Sequence, residues 1–130
     1  MKLLHTMIRV NNLDQTIDYY KNVLGMSLLR MTDRPEQKYT LAFMGYEDSQ
    51  TEIELTYNYG KDSYEHGDAF GHLAIGTNNL DEICSKAEDH GGKIIRKPGP
   101  VIGGKTIIAF IEDPNGYKIE LIQIASPSHD

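Results

Sequence analysis

Two histidines and two glutamates stand out in this chain of 130 residues because they recur as matched pairs. His5 is followed by Glu54 after 49 residues, and His72 by Glu120 after 48. If the four side chains converge, two imidazoles and two carboxylates suit a borderline divalent cation in octahedral coordination, with about two positions left for water or substrate. Nickel, cobalt, zinc, manganese and iron(II) all accept such a set. Two close carboxylates without a cation would repel and drive one pKa upward, and a doubly charged ion balances them. Taken singly, a strand histidine is usually structural, and a glutamate between Ile and Leu is what the solvent face of any amphipathic strand carries. The recurrence of the pair is what argues for metal ligands.

The pairs belong to an internal repeat. The stretch from His5 through Ile8 to Asn11-Asn12-Leu13-Asp14 lines up with His72 through Ile75 to Asn78-Asn79-Leu80-Asp81 at an offset of 67. Ala42-Phe43 matches Ala109-Phe110 at the same offset, and Ile53-Glu54-Leu55 matches Ile119-Glu120-Leu121 at 66. The chain reads as one domain over residues 1–130, made of copies at about 1–60 and 70–126 and joined by a linker at about 59–69, rich in Gly, Asp and Ser.

Each copy predicts the same elements. Alternation makes Leu3–Val10 a strand with Leu4, Ile8 and Val10 on one face and His5, Met7 and Arg9 on the other. Asn12 is a candidate N-cap with Gln15 in the capping-box position. Leu13, Ile17, Tyr20 and Leu24 then recur at helical spacing until Gly25. Strands follow near Ser27–Met31, Lys38–Gly45 and Thr51–Asn58, the last with Glu54, Thr56 and Asn58 on one face. In the second copy a strand around His72 leads to a helix capped by Asn79, with Glu82 in the capping-box position. Its apolar stripe is Ile83, Cys84 and Ala87, and Gly91-Gly92 ends it. Strands near Lys93–Arg96, Thr106–Ile111 and Tyr117–Ile124 follow, the last two joined by the turn Asp113-Pro114-Asn115-Gly116. The fold class is therefore α+β, two tandem βαβββ modules. A lone unit of about 65 residues buries only about 60% of its unfolded surface, so the copies should pack together or against a second chain.

Composition narrows the partners. Hydrophobic residues are 39% and charged residues 25%, the balance of a soluble globular protein. No apolar run reaches the ~20 residues that cross a bilayer, and His5 and Arg9 break the opening Met1-Lys2-Leu3-Leu4 too soon for a signal peptide. A net charge of −6 disfavours nucleic acid. The single cysteine, Cys84, forms no intrachain disulfide and suits a reducing, cytoplasmic setting.

Other motifs receive plainer readings. His90 precedes Gly91-Gly92, where an imidazolium suits a helix C-terminus, while His66 falls in the linker and His129 in the tail. Gly99-Pro100-Val101-Ile102-Gly103-Gly104-Lys105-Thr106 spells the phosphate-loop pattern G-x-x-x-x-G-K-T. That loop works only where it opens a helix, and this one enters the strand-like Ile107-Ile108-Ala109-Phe110. A flexible lid is the better reading of the stretch.

At these residues the chain resembles the glyoxalase I (lactoylglutathione lyase) family of the vicinal-oxygen-chelate superfamily. The resemblance spans roughly Leu3 to Ile124. It is carried by Leu4-His5-Thr6-Met7-Ile8-Arg9-Val10, Asp18-Tyr19-Tyr20 through Leu24-Gly25-Met26, Ile53-Glu54-Leu55-Thr56-Tyr57-Asn58, Gly71-His72-Leu73-Ala74 and Asp113-Pro114-Asn115-Gly116-Tyr117-Lys118-Ile119-Glu120-Leu121. Glu rather than Gln at position 54, with Arg9 and Asn58, points to glyoxalase I within the superfamily.

The resemblance implies curved mixed sheets around a metal held by His5, Glu54, His72 and Glu120. It implies isomerisation of the hemithioacetal of methylglyoxal and glutathione, or a related thiol, to S-D-lactoylglutathione, a detoxification. Glu120 would move the proton, and Arg9, Asn58 and His72 would bind substrate. Arg96, or Lys97 beside it, would meet the glycyl carboxylate. It further implies a homodimer with His5 and Glu54 from one chain and His72 and Glu120 from the other. Short and without long insertions, the chain resembles the nickel- and cobalt-activated class of the family, which implies Ni2+ or Co2+ over Zn2+. Tyr59 and Asn115 depart from the family's usual Trp and Asp without touching the ligands. Within the superfamily an epimerase, a fosfomycin thiol transferase and an extradiol dioxygenase are the rival enzymes; Glu54 argues against the latter two. A metal-free binding protein of the bleomycin-resistance type is the rival of another class, and has no use for both pairs.

Overall fold

The computed structural model describes residues 1–124. His129 and the last two residues assigned to the second copy, 125 and 126, lie outside the described residues. The chain divides into two compact units, Met1–His66 and Gly67–Asp130. No helix among the described residues is long and apolar enough to cross a membrane.

The first unit is built from β1 (His5–Val10), α1 (Leu13–Asn22), β2 (Ser27–Arg34), β3 (Tyr39–Gly45) and β4 (Glu52–Asn58). Its sheet has the order β1-β4-β3-β2, with β1 and β4 parallel and the other pairs antiparallel. Helix α1 starts where Asn12 Oδ1 accepts the Gln15 backbone N–H at 3.0 Å, so the expected cap forms. It ends as Gly25 takes φ +74°, a left-handed value open to glycine, while Met26 N–H returns to the Tyr20 carbonyl at 3.0 Å. The helix packs against β2, β3 and β4. Leu13, Tyr19 and Tyr20 are buried with Ile8, Val10, Ala42 and Leu55, and burying a side chain such as Leu55 contributes about 1.5–3 kcal/mol. Thr16 belongs to the buried stripe as well, its hydroxyl satisfied by the Asn12 carbonyl at 2.7 Å. Leu4 is exposed instead of joining the core face, because β1 begins only at His5.

The second unit repeats the plan with β5 (Leu73–Thr77), α2 (Leu80–Ala87), a single 3-10 turn at Glu88–His90, β6 (Lys93–Pro100), β7 (Ile107–Glu112) and β8 (Lys118–Gln123). The sheet order is β5-β8-β7-β6, again with a parallel first pair. Leu80, Cys84 and Ala87 of α2 are buried, as are Ala109, Ile111, Ile119 and Leu121 of the sheet. Burial pushes the Cys84 thiol pKa up, with the Asp81 charge adding to it, which suits a packing role rather than a reactive one.

Two local expectations are corrected. Asn79 stands at the N-cap of α2, but its side chain makes no capping bond: its ψ of 54° departs from the extended cap geometry, and Thr77 Oγ1 instead accepts the Asn79 N–H at 3.0 Å. Strand β6 runs four residues past Arg96, through Pro98 and Pro100. Among the described residues it pairs only with β7, and an edge strand tolerates proline. The G-x-x-x-x-G-K-T stretch is thus a strand end and a turn closed by Val101 N–H to the Thr106 carbonyl at 2.9 Å, and it opens no helix.

Candidate functional site

Each sheet turns one face to its helix and carries a His–Glu pair on the other. In the first unit, register pairs His5 with Glu52 and Met7 with Glu54 across β1 and β4, and Phe43 with Glu54 across β3 and β4. Paired residues project to the same side, as do residues two apart along a strand. His5, Arg9, Phe43, Glu54, Thr56 and Asn58 therefore share one face. His5 Nε2 lies 3.1 Å from Glu54 Oε1. The ring of Phe43 meets the imidazole edge-on, with centroids 5.4 Å apart at 81°.

In the second unit His72 immediately precedes β5, and β8 brings up Glu120 opposite Ala74 and Phe110. His72 Nε2 lies 3.1 Å from Glu120 Oε1, and Phe110 meets the imidazole at 5.4 Å and 82°. The repeat seen in the sequence is thus a repeat of geometry.

These pairs fit metal ligation. Imidazole nitrogen and carboxylate oxygen bonded at about 2.0–2.2 Å and at right angles to one cation stand about 3 Å apart, close to the separation found in both units. The carboxylates are mostly shielded, at 14% and 19% side-chain exposure, while the imidazoles remain reachable at 38% and 42%. Each unit carries one such nitrogen–oxygen pair. No group of three or more His, Cys, Asp or Glu side chains is arranged to hold a metal among the described residues.

Neighbouring side chains set the two pairs apart. Thr56 donates its hydroxyl proton to Glu54 Oε2 at 2.9 Å. Arg30 lies over the Phe43 ring, 4.0 Å from its centroid, and grips Glu52 with two bonds of 2.7 and 3.2 Å. Those bonds hold the Glu52 carboxyl below the usual carboxylate range. In the second unit Arg96 is the register partner of Phe110. Its guanidinium donates to the carbonyls of Gly99, Ile108 and Pro100 at 3.3, 3.2 and 2.7 Å, so the residue expected to meet a carboxylate is engaged with the backbone around its own bulge.

Of the substrate-binding candidates, Arg9 is exposed on β1, and Asn58 donates its amide to the Tyr64 hydroxyl at 3.0 Å. The Tyr59 hydroxyl donates to Asp33, which also accepts from Thr40 at 2.8 Å; the Tyr59 bond and then the Thr40 bond hold the Asp33 carboxyl below its usual range. Sequence reasoning passed over Phe43, Phe110, Arg30 and Tyr64 as parts of this face. The Ala42-Phe43 and Ala109-Phe110 match was the available signal for the two phenylalanines.

Comparison with known proteins agrees with the fold. The sequence model of the Glyoxalase/Bleomycin resistance protein/Dioxygenase superfamily matches residues 2–121. A lactoylglutathione lyase of Haemophilus influenzae is 57% identical over 125 residues, 95% of this chain and 93% of the relative. Among solved structures, glyoxalase I from Zea mays superposes with a TM-score of 0.89 at 50% identity over 96% of this chain, which spans 45% of that maize chain's length. A trypanothione-dependent glyoxalase I from Leishmania major gives 0.81 at 44% identity, covering 95% of this chain and 86% of its own. With a matching model over nearly all its length and relatives above half identity, the chain belongs to the Glyoxalase/Bleomycin resistance protein/Dioxygenase superfamily.

Proposed function

We propose that the chain is a metal-dependent lactoylglutathione lyase, isomerising the hemithioacetal of methylglyoxal and glutathione to S-D-lactoylglutathione. The observation that carries this reading is the duplicated His–Glu pair, each with its donors 3.1 Å apart, in a chain 57% identical to a protein of that name.

His5, Glu54, His72 and Glu120 would hold one divalent cation, nickel or cobalt by preference and zinc as the alternative. When bound, the cation supplies Lewis-acid stabilisation of the charge developing on the substrate's two vicinal oxygens. Glu120 takes the proton from the carbon bearing sulfur and returns it to the neighbouring carbon, while the hemithioacetal hydroxyl proton passes to the former ketone oxygen, so that the hemithioacetal carbon becomes the thioester carbonyl and the ketone becomes the hydroxyl. General-base catalysis of this kind contributes about 10²–10⁴-fold. Arg9 and Asn58 bind the γ-glutamyl end of the thiol, and His72 contacts the substrate. The chain functions as one domain of two copies, in a homodimer whose site takes His5 and Glu54 from one subunit and His72 and Glu120 from the other. The compartment is the cytoplasm.

Substituting Glu120→Gln tests the assignment, with thioester formation from methylglyoxal and glutathione followed at saturating nickel. The expected result is an active wild type and a folded variant slower by at least about 100-fold. A variant of near wild-type turnover would contradict the role of Glu120, and a nickel-loaded wild type that forms no thioester would contradict the function.

A further inference from the structure

The two His–Glu pairs agree in distance, in the edge-on phenylalanine and in register, yet only one of the glutamates is fastened. Glu54 is engaged at both oxygens, Oε1 by His5 and Oε2 by the hydroxyl of Thr56. Thr56 is buried at 8% exposure, between its register partners Arg9 and Leu41, so its hydroxyl is held in place. At the matching position two residues beyond Glu120 stands Ile122, between Gly76 and Ile108, where no side chain offers a donor. Glu120 Oε1 faces His72, and among the described residues no other side chain or backbone group bonds this carboxylate. The contrast extends outward, since Arg30 is anchored by Glu52 on the first face whereas Lys118 occupies the position corresponding to Glu52 on the second.

A permanent ligand and a proton-carrying base make opposite demands on a carboxylate. The ligand gains from a second-sphere bond that fixes its orientation. The base must reorient between the two carbons it serves, and a bond to its other oxygen would oppose that movement. We infer that Thr56 is a positioning residue that locks Glu54 as the permanent ligand, and that the apolar Ile122 leaves Glu120 free to act as the base. This rests on the proposed isomerase reading. It adds the reason why one of two equivalent glutamates takes the moving role.

The inference is tested on the full-length, chelator-stripped protein with Thr56→Val, Thr56→Ser and Ile122→Thr. Nickel binding is measured by calorimetry with the metal alone, and kcat and KM are measured separately for thioester formation. Loss of the Thr56 hydroxyl is expected to weaken nickel binding about tenfold, and Thr56→Ser to restore it. Placing a hydroxyl beside Glu120 with Ile122→Thr is expected to lower kcat about tenfold while KM stays in place, because the base has acquired the tether that Glu54 has. Wild-type nickel affinity in a folded Thr56→Val, or wild-type kcat in Ile122→Thr, would overturn the inference. If Thr56→Val does not fold, the kcat of Ile122→Thr decides alone. A wild type that binds nickel and forms thioester while the variants match it removes this inference only, whereas a wild type that does neither removes the isomerase reading beneath it.

Discussion

Phe43 stands edge-on to His5, centroids 5.4 Å apart at 81°, and sits beneath the guanidinium of Arg30 at 4.0 Å. The imidazole is therefore braced by a ring that is itself braced, and Phe110 repeats the contact with His72 at 5.4 Å and 82°. An edge-to-face contact of this kind contributes about 0.5–1.5 kcal/mol beyond burial. It also restricts ring rotation, which matters more for a ligand than for a surface histidine.

Replacing Phe43 by Leu keeps the site apolar and removes the aromatic brace. The expected outcome is a folded protein whose nickel affinity falls roughly 10-fold, the lower end of what disturbing a ligand's outer contacts costs. Titration calorimetry on Phe43→Leu and Phe110→Leu checks this, and unchanged affinity in both would show that the rings only fill space.

The order of residues revealed the recurring His–Glu pairs and the fold because both are written in spacing. Alternation put His5 beside Arg9 and Glu54 beside Thr56, and the offset of 67 tied the copies together. What spacing could not reveal depends on neighbours far along the chain. The contact of Phe43 with His5 needs the β1-β4-β3 register. The engagement of Arg96 with the Gly99 and Pro100 carbonyls arises from bulges flanking Arg96 in β6. Asn79 matched the capping pattern of Asn12, yet its ψ of 54° departs from the capping geometry and its own N–H donates to Thr77 Oγ1. The bond from Thr56 to Glu54 lay within one strand at a spacing of two, readable as a shared face but not as a directed hydroxyl.

Tyr46 gives the protein a titration of its own at high pH. Burial pushes its pKa from 10.0 up to about 12, and its hydroxyl donates to the Leu24 carbonyl at 2.6 Å. Because the folded value lies above the unfolded one, the stabilisation from the neutral phenol is complete below pH 10 and is lost as pH rises through about 12. Tyr46→Phe is expected to cost about 1 kcal/mol near neutrality for the missing hydrogen bond. It should also remove this part of the alkaline decline. Urea unfolding of both proteins at pH values of about 8 and 11 measures it, and parallel declines would contradict the assignment.

The proposed sharing of ligands between subunits makes a prediction that needs no structure of the dimer. One variant carries His5→Ala with Glu54→Ala, the other His72→Ala with Glu120→Ala, and each alone should be inactive. Mixed, unfolded and refolded together, they form heterodimers in which one site regains all four ligands, so activity should return to about a quarter of wild type by random pairing. A mixture as dead as its parts would contradict a shared site.

Metal-dependent isomerisation is tested most plainly by thioester formation with the chelator-stripped protein, nickel, cobalt or zinc then being restored singly. No turnover is expected without metal, strong recovery with nickel or cobalt, and poor recovery with zinc. Full turnover by the stripped protein, or none with any of the three metals, would contradict it.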